Sequence, residues 1–203
     1  MSVDLPGDSF DYDVLFNAAQ SISKVNGLVC EIGVRRGGSL KYIIDGLNNG
    51  PYRHLIAIDP YGDIPYQASD TTNVKLDYSN DMKHESMANI YQYIIGKNIN
   101  FIFFNLEDTE FFKQYNDGII IYSDVKEVIN TYALVFFDGP HNLISIQDSV
   151  DFFINKTSIG GIFVFDDVLE YRHDIIHHRL LDNGFKLLEV GKQTRKMSYQ
   201  KIN

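Results

Sequence analysis

The stretch from Leu28 to Leu40, which reads LVCEIGVRRGGSL, places the strongest constraint on the fold of this chain. The apolar run at its start predicts a buried strand, its glycines predict a tight turn, and the apolar spacing from Leu40 to Leu47 predicts a helix. A strand, a glycine loop and a helix in this order form the opening unit of an open α/β sheet. Ligands of such sheets bind beyond the carboxyl ends of the strands, so the loop is expected to form the floor of the main site.

The glycine loop does not fit the sequences that bind dinucleotides or nucleoside triphosphates. A dinucleotide loop needs a glycine at the position that Arg35 occupies, because its backbone must approach a pyrophosphate closely. A P-loop needs a lysine after its last glycine, whereas Ser39 directly follows Gly38 here. A loop of either kind is therefore not expected.

Composition and charge restrict the partners of this chain. Its 203 residues suit a single domain over 1–203, and a net charge of −9 without a basic stripe argues against a nucleic-acid partner. No apolar run approaches the roughly 20 residues that span a bilayer, and the amino terminus lacks a secretory signal pattern. The single cysteine, Cys30, favours a reducing compartment. We therefore expect a soluble, cytoplasmic protein with no nucleic-acid or membrane partner, and a homodimer stays open.

Strands and helices alternate along the rest of the chain, which is typical of an α/β fold with a mostly parallel sheet. Apolar runs predict further parallel strands and a closing antiparallel hairpin, over 54–59, 100–105, 132–137, 160–165, 185–190 and 195–202. Apolar spacing predicts helices over 12–25, 84–97, 144–154 and 171–183. Residues 1–11 are expected to form a loose arm, and the run 118–122 could be a short strand without an assigned place.

Acidic residues follow two of the predicted strands. Asp138 follows the strand 132–137, and Asp166 and Asp167 follow the strand 160–165. Neighbouring parallel strands lie about 4.8 Å apart and end at one edge, so three carboxylates should converge beside the glycine loop. Their mutual repulsion requires a balancing cation or the protonation of one carboxyl. Ligands that are all oxygen favour a hard ion, and the cluster therefore predicts a Mg²⁺ site.

Two motifs resemble those of class I S-adenosylmethionine (SAM) methyltransferases. One is EIGVRRGGS from Glu31 to Ser39, and the other is GGIFVFDD from Gly160 to Asp167. The likeness spans roughly residues 28–190 and is closest to the metal-dependent O-methyltransferases of the macrocin and catechol types. It implies a Rossmann-like, seven-stranded, mostly parallel sheet with helices on both faces and a C-terminal antiparallel hairpin. It also implies SAM as the cofactor and methyl transfer to a hydroxyl of a sugar or natural product, with a divalent metal assisting.

The resemblance assigns cofactor contacts within the glycine loop and around it. By it, Glu31 faces the SAM amine, Gly33 leaves room for the methionine chain, and Ser39 with the following helix N-terminus holds the carboxylate. The residues taken as cofactor-binding are Glu31, Gly33, Arg35, Gly37, Ser39, Asp59, Glu107 and Asp138.

Two of these acids have open alternatives. An acid at the end of the second strand accepts hydrogen bonds from ribose in nucleotide-binding sheets, which favours Asp59, with Asp63 as second choice. Asp59 could equally open a turn. Glu107 lies where the family contacts the adenine or ribose side, but Asp108 and Glu110 offer the same chemistry.

The metal ligands of the family match Asp138, Asp166 and Asp167 residue by residue, but the position of its proposed base does not match. Sugar-modifying members read Asp-Gly-Asp-His, whereas Pro140 stands at the second acid here and cannot accept a proton. His141 lies three residues after Asp138, where the catechol type carries a lysine, and its ordinary pKa suits a general base near neutral pH. His141 is therefore the candidate catalytic residue, with helix capping or packing as the alternative.

Several features are left open by the sequence. The irregular segments 60–83 and 106–131 are candidate lids or acceptor-binding segments. His173 and His177, with His178 beside them, have a helical spacing that can bind zinc, although no third ligand is evident and an ordinary amphipathic helix explains them better. The rival functions are a metal-independent methyltransferase, a SAM-binding protein without catalysis, and a nucleotide-dependent oxidoreductase.

Overall fold

The structure, a computed structural model, describes residues 3–62, 78–122 and 125–203. The strands, in chain order, are β1 (Leu28–Ile32), β2 (Arg53–Ile58), β3 (Ile99–Phe104), β4 (Ile119–Tyr122), β5 (Lys126–Ile129), β6 (Tyr132–Phe137), β7 (Thr157–Phe165), β8 (Phe185–Val190) and β9 (Met197–Lys201). The helices are α1 (Tyr12–Ser21), α2 (Gly38–Leu47), α3 (Asn80–Tyr93), α4 (Asp108–Gln114), α5 (Leu143–Phe153) and α6 (His173–Asp182).

Seven of the strands form one twisted sheet in the order β3-β2-β1-β6-β7-β9-β8. The five strands from β3 to β7 are parallel, and β9 pairs antiparallel with both β7 and β8. The chain winds outwards from β1 to β3 on one side and from β6 onwards on the other, so the strand order reverses between β1 and β6. This architecture confirms the predicted Rossmann-like fold with a C-terminal antiparallel hairpin.

Both faces of the sheet are covered by apolar helix surfaces. All five residues of β1 and all six of β6 are buried, as expected for central strands of a parallel sheet. One core lies between the sheet and the helices α1, α2 and α3, and the other lies between the sheet and α4, α5 and α6. The central strands are thereby held on both sides, which fixes the position of their carboxyl ends.

The parallel register aligns the residues that follow the central strands. Ile32 pairs with Phe137, and Phe137 pairs with Phe165, so β1, β6 and β7 end side by side. The amide of Asp138 donates to the carbonyl of Ile32 at 2.9 Å, and the amide of Asp166 donates to Phe137 at 3.0 Å. The predicted convergence of acidic residues on one sheet edge is therefore present.

Several predicted boundaries differ from the structure. Helix α3 begins at Asn80 rather than near 84, because Ser79 Oγ accepts the amide of Met82 and caps a first turn that lacks apolar spacing. The 106–131 segment contains α4 and a separate antiparallel pair, β4 with β5, in which the unplaced run 118–122 forms one strand. Of the predicted lid 60–83, residues 63–77 lie outside the described residues.

The amino-terminal arm is not loose over its described residues, 3–11. Leu5 is buried, and the Asp11 carboxylate accepts the amides of Gln193 and Arg195 at 3.0 Å. Composition suggested an arm because the segment is acidic and rich in turn residues, but Asp11 bonds to the distant carboxyl-terminal hairpin, and Asp4 and Asp8 form ion pairs with Lys41 and Arg35. Among the described residues, no helix has the length and apolar character needed to cross a bilayer.

Candidate functional site

A cavity of about 340 Å³ lies beyond the carboxyl ends of β1, β2 and β6, at the reversal of strand order. Its lining comes from four of the predicted cofactor-binding residues and from neighbouring loops, and includes Gly33, Asp59, Tyr61, Tyr78, Glu107, Asp108, Asp138 and Pro140. Open α/β sheets bind their ligands at this position. A volume of this size lies within the range of small-molecule sites.

Gly33 is needed because two strand ends approach each other closely. Its φ is +84°, and a Cβ placed there would lie 2.6 Å from the carbonyl carbon of Asp138. A side chain at this position would therefore displace the backbone that carries Asp138. The family resemblance implies that Gly33 leaves room for the methionine chain of SAM. In the structure, the backbone of Asp138 and Gly139 occupies the space that a side chain at this position would need.

Asp59 holds the glycine loop in place. It is buried, its Oδ2 accepts the amides of Val34 at 2.8 Å and Arg35 at 3.1 Å, and its Oδ1 accepts the amide of Tyr61 at 3.0 Å. Burial raises the pKa of Asp59, and these three hydrogen bonds oppose that rise. Asp59 therefore shapes the cavity that it lines, and ribose binding stays a prediction. Asp63, the second choice, lies outside the described residues.

Glu31 is the most unusual acid near the loop. It has no solvent exposure, and its Oε1 accepts the hydroxyl of Ser39 at 2.6 Å. Its Oε2 has no hydrogen-bond partner within 3–62, 78–122 or 125–203. Burial raises the pKa of Glu31 well above its ordinary value. A buried carboxylate oxygen without a donor is costly, so this atom points to a ligand that brings one.

The remaining loop residues contact protein, and Arg35, Gly37 and Ser39 are not among the residues that line the cavity. Arg35 adopts a φ of +47° and forms an ion pair with Asp8 of the amino-terminal arm. Gly37 caps α2 with a φ of +78°, and a Cβ on Gly38 would lie 2.6 Å from the backbone of Gly7. The arm therefore packs against the N-terminus of α2, where a carboxylate was predicted to bind.

The acid that follows β3 lies at the cavity, and its contact with a cofactor stays a prediction. Glu107 precedes the first turn of α4 and lines the cavity together with Asp108 and Thr109. Burial raises the pKa of Asp108, whose Oδ1 accepts the amide of Thr109 at 2.7 Å. Both Glu107 and Asp108 therefore remain candidates for contact with a nucleoside.

His141 lies between two of the converging acids. Its Nε2 is 3.5 Å from Asp138 Oδ1, and its Nδ1 is 3.4 Å from Asp167 Oδ2. Burial alone would lower the pKa of His141, but Asp138 and then Asp167 raise it above its ordinary value. Burial and the nearby Asp166 raise the pKa of Asp138. The two carboxylates thus lie within ion-pair distance of the imidazole and stabilise its protonated form.

The other two acids are paired with basic residues that the sequence reading missed. Lys196 Nζ contacts Asp166 Oδ2 at 2.7 Å, and the Arg195 guanidinium forms an ion pair with Asp167. A Mg²⁺ site needs carboxylate oxygens directed at one open position. Here each acid of the predicted triad contacts a basic side chain, and no group of three metal-capable side chains occurs among the described residues. The residues present do not fit the predicted Mg²⁺ site.

The register of the last hairpin explains the missed cations. β7 and β9 pair antiparallel with Phe165 opposite Met197, which brings the next residues, Asp166 and Lys196, together just beyond the paired strands. Arg195 then lies close enough to Asp167 to form an ion pair. Opposite charges at facing positions are the favourable cross-strand arrangement. The sequence signal is the Arg-Lys pair at the start of the predicted strand 195–202.

The histidines of α6 do not assemble a zinc site in the described part of the chain. The ring nitrogens of His173 lie 3.1 Å from Tyr171 Oη and 3.0 Å from Tyr199 Oη. Nδ1 of His177 also lies 3.0 Å from Tyr199 Oη, and Nδ1 of His178 bonds to the backbone of α6. These contacts make His173 part of the core, whereas His177 is partly buried and His178 is exposed.

Comparison with protein families gives one match, and it covers most of the chain. Residues 30–168 match a family model described as a methyltransferase domain. An uncharacterized protein of Acanthamoeba polyphaga mimivirus is 26% identical over 161 residues, which are 79% of this chain and 60% of that protein. This chain thus corresponds to about three fifths of the length of that relative.

Solved structures with the same fold include two O-methyltransferases. NovP superposes with a TM-score of 0.61 at 16% identity, over 95% of this chain and 79% of that one. TomG from Streptomyces achromogenes, which is involved in tomaymycin synthesis and was solved in complex with SAM, superposes with a TM-score of 0.60 at 12% identity, over 98% and 83%. At these identities the likeness establishes the fold.

Proposed function

Because this chain belongs to the methyltransferase-domain family, we propose that it transfers a methyl group from SAM to a hydroxyl oxygen of a small molecule. The family match confirms the resemblance drawn from the motifs around Glu31 and Asp166. The proposal concerns the acceptor atom, the class of acceptor and the residues that carry the reaction.

Glu31 is the observation that carries the cofactor assignment. Its buried Oε2 has no donor among the residues described, and the ammonium group of SAM would supply one. The adjoining cavity between Gly33, Asp59 and Glu107 has a size suited to a nucleoside. SAM bound in this way would lie across the carboxyl ends of β1 and β2.

His141 is the proposed general base for the acceptor hydroxyl. Asp138 and Asp167 flank its ring at 3.5 and 3.4 Å and would stabilise the imidazolium formed on proton uptake. The resulting alkoxide attacks the methyl carbon of SAM, the carbon–sulfur bond breaks, and S-adenosylhomocysteine leaves. Positioning of the two reactants and charge stabilisation would supply most of the remaining acceleration.

The contacts of the acids favour the metal-independent form of this reaction. Asp138, Asp166 and Asp167 are engaged by His141, Lys196 and Arg195, so the catalytic steps are assigned to side chains of the chain itself. TomG is involved in tomaymycin synthesis, and by analogy with it we propose the hydroxyl of a small natural product as the acceptor.

The proposal is tested by incubating the protein with methyl-labelled SAM and a panel of sugar nucleotides, glycosides and phenols. An acceptor should gain one labelled methyl group on oxygen, as located by NMR, and activity should survive treatment with EDTA. Tight SAM binding without methylation of any acceptor would instead indicate a SAM-binding protein without catalysis.

The His141→Gln variant tests the role of the base. We expect kcat to fall by roughly 10²- to 10⁴-fold with little change in SAM affinity, because the histidine acts on the acceptor. Turnover of the unmodified protein should fall as pH drops through the raised pKa of His141, since only the neutral imidazole accepts a proton. His84→Gln, at an exposed position on α3, is the matched control. Full activity of His141→Gln would disprove this role.

A further inference from the structure

Lys196 is a buried cation in a protein with a net charge of −9. Its side chain has no solvent exposure, and its ammonium group lies 4.8 Å from the centre of the Tyr12 ring. Nζ donates to Asp166 Oδ2 at 2.7 Å and to Ser9 Oγ at 2.8 Å. A buried ammonium group is strongly destabilising unless it is paired, so Asp166 and Lys196 depend on each other.

Both oxygens of Asp166 are engaged within the protein. Oδ2 accepts from Lys196, and Oδ1 accepts the amide of Asp167 at 2.8 Å. The hydroxyl of Ser9 lies 3.1 Å from Oδ2 and 3.3 Å from Oδ1. A divalent ion bound to this carboxylate at about 2.1 Å would have to displace one of these donors and face the ammonium group at close range.

The position of Lys196 is fixed by the backbone and is not a chance contact of a flexible surface side chain. The antiparallel register of β7 and β9 brings Lys196 next to Asp166, and the amide of Val168 donates to the carbonyl of Arg195 at 3.3 Å. On the other side, the Asp11 carboxylate accepts the amides of Gln193 and Arg195. The turn that carries the ammonium group is therefore bonded on two sides.

We propose that Lys196 supplies the positive charge that balances the acid cluster at the ends of β6 and β7, and that it thereby excludes a divalent ion. Lys196 is a positioning residue, because it holds Asp166 and contacts no substrate. Arg195 balances Asp167 in the same manner. This inference concerns the charge of the cluster and its binding of metal ions. Only the conclusion that methyl transfer proceeds without a metal ion rests on the proposed function.

The test is a titration with Mn²⁺, followed by the electron paramagnetic resonance signal of the free ion, in the absence of SAM and acceptor. The unmodified protein should show no saturable site up to about 1 mM Mn²⁺. The Lys196→Met variant removes the charge at similar size and should gain one Mn²⁺ per chain, with at least tenfold tighter binding. Lys192→Met, at a side chain that is 90% exposed, is the matched control and should gain no site.

Two results would overturn the inference. The first is that the unmodified protein binds one Mn²⁺ per chain at micromolar affinity and that Asp166→Asn loses this binding. The second is that a folded Lys196→Met variant gains no Mn²⁺ site. The first decides the question even if Lys196→Met does not fold. SAM affinity, measured by calorimetry on the same samples, reports separately on the proposed function, because metal binding is measured without any methyl donor.

Discussion

Replacing Glu31 by Gln should weaken SAM binding and leave the unliganded fold intact. Glu31 is fully buried, Ser39 donates to its Oε1, and its Oε2 has no partner within the described ranges. A hydrogen bond from the SAM ammonium group to this carboxylate contributes about 1.5–3 kcal/mol. Glutamine would still accept the Ser39 hydroxyl but would turn N–H donors towards the ammonium group. The Kd for SAM should therefore rise roughly 10- to 150-fold.

The same variant should change the proton balance of binding. Burial raises the pKa of Glu31 well above its ordinary value, so the free protein retains this proton to a higher pH than an exposed glutamic acid would. An arriving ammonium group favours the charged form and lowers the pKa of Glu31 again, so SAM binding releases a proton at pH values between the pKa of Glu31 in the bound and in the free protein. Calorimetry in two buffers of different ionisation enthalpy should detect this release in the unmodified protein, and Glu31→Gln should abolish it.

Two controls separate this effect from general damage. 5′-Methylthioadenosine shares the adenosine of SAM but lacks the amino acid, so its affinity should be the same for both proteins. Glu127→Gln, at an exposed position of β5, should leave the affinity for both ligands unchanged. An equal loss of affinity for both ligands in Glu31→Gln, or no loss for SAM, would refute the reasoning.

Two further predictions concern stability. Gly33→Ala should lower the free energy of unfolding by more than Gly96→Ala does. Both glycines have φ near +80°, a conformation that costs about 1–2 kcal/mol for alanine. Only at Gly33 would the added Cβ also meet the backbone of Asp138, because at Gly96 it meets no described atom within 4 Å. Urea denaturation of both variants measures the difference, and equal losses would contradict the proposed contact. Burial lowers the pKa of His173 to about 4 from an ordinary 6.5. The stability that its neutral form contributes is therefore fully present above pH 6.5 and is lost as pH falls towards 4, which amounts to about 3 kcal/mol. His173→Gln should remove this part of the pH dependence, and parallel stability curves for the two proteins would show that the histidine is not responsible.

Local sequence patterns were sufficient to predict most of the sheet. The run LVCEI of β1 and the run YALVFF of β6 are continuous apolar stretches, as strands buried on both faces require, and the alternation with helices fixes their parallel direction. From that direction alone, Asp138 and Asp166 could be expected at one edge. The convergence of acids was thus predictable because it depends on strand direction and not on side-chain detail.

The charges that balance those acids were not predictable in the same way. Lys196 and Arg195 lie about 30 residues from their partners in sequence, and a shift of one residue in the register of β7 with β9 would place different residues opposite Asp166. Asp59 shows a second limit, because an acid at a strand end can bind a ribose or hold a loop. Its bonds to the amides of Val34 and Arg35 show the second role, which composition cannot reveal.

Contacts between residues far apart in the sequence have a consequence for biosynthesis. Ser9 contacts Lys196, and Asp11 contacts the backbone of Arg195, so these residues depend on partners that are synthesised 187 and 184 residues later. While the chain emerges from the ribosome, the central strands can assemble, but Asp166 stays without its counter-charge until the hairpin of β8 and β9 is synthesised. A ribosome-stalled chain ending before Arg195 would therefore be expected to hold a largely complete sheet whose acidic edge is still open to protease and to solvent.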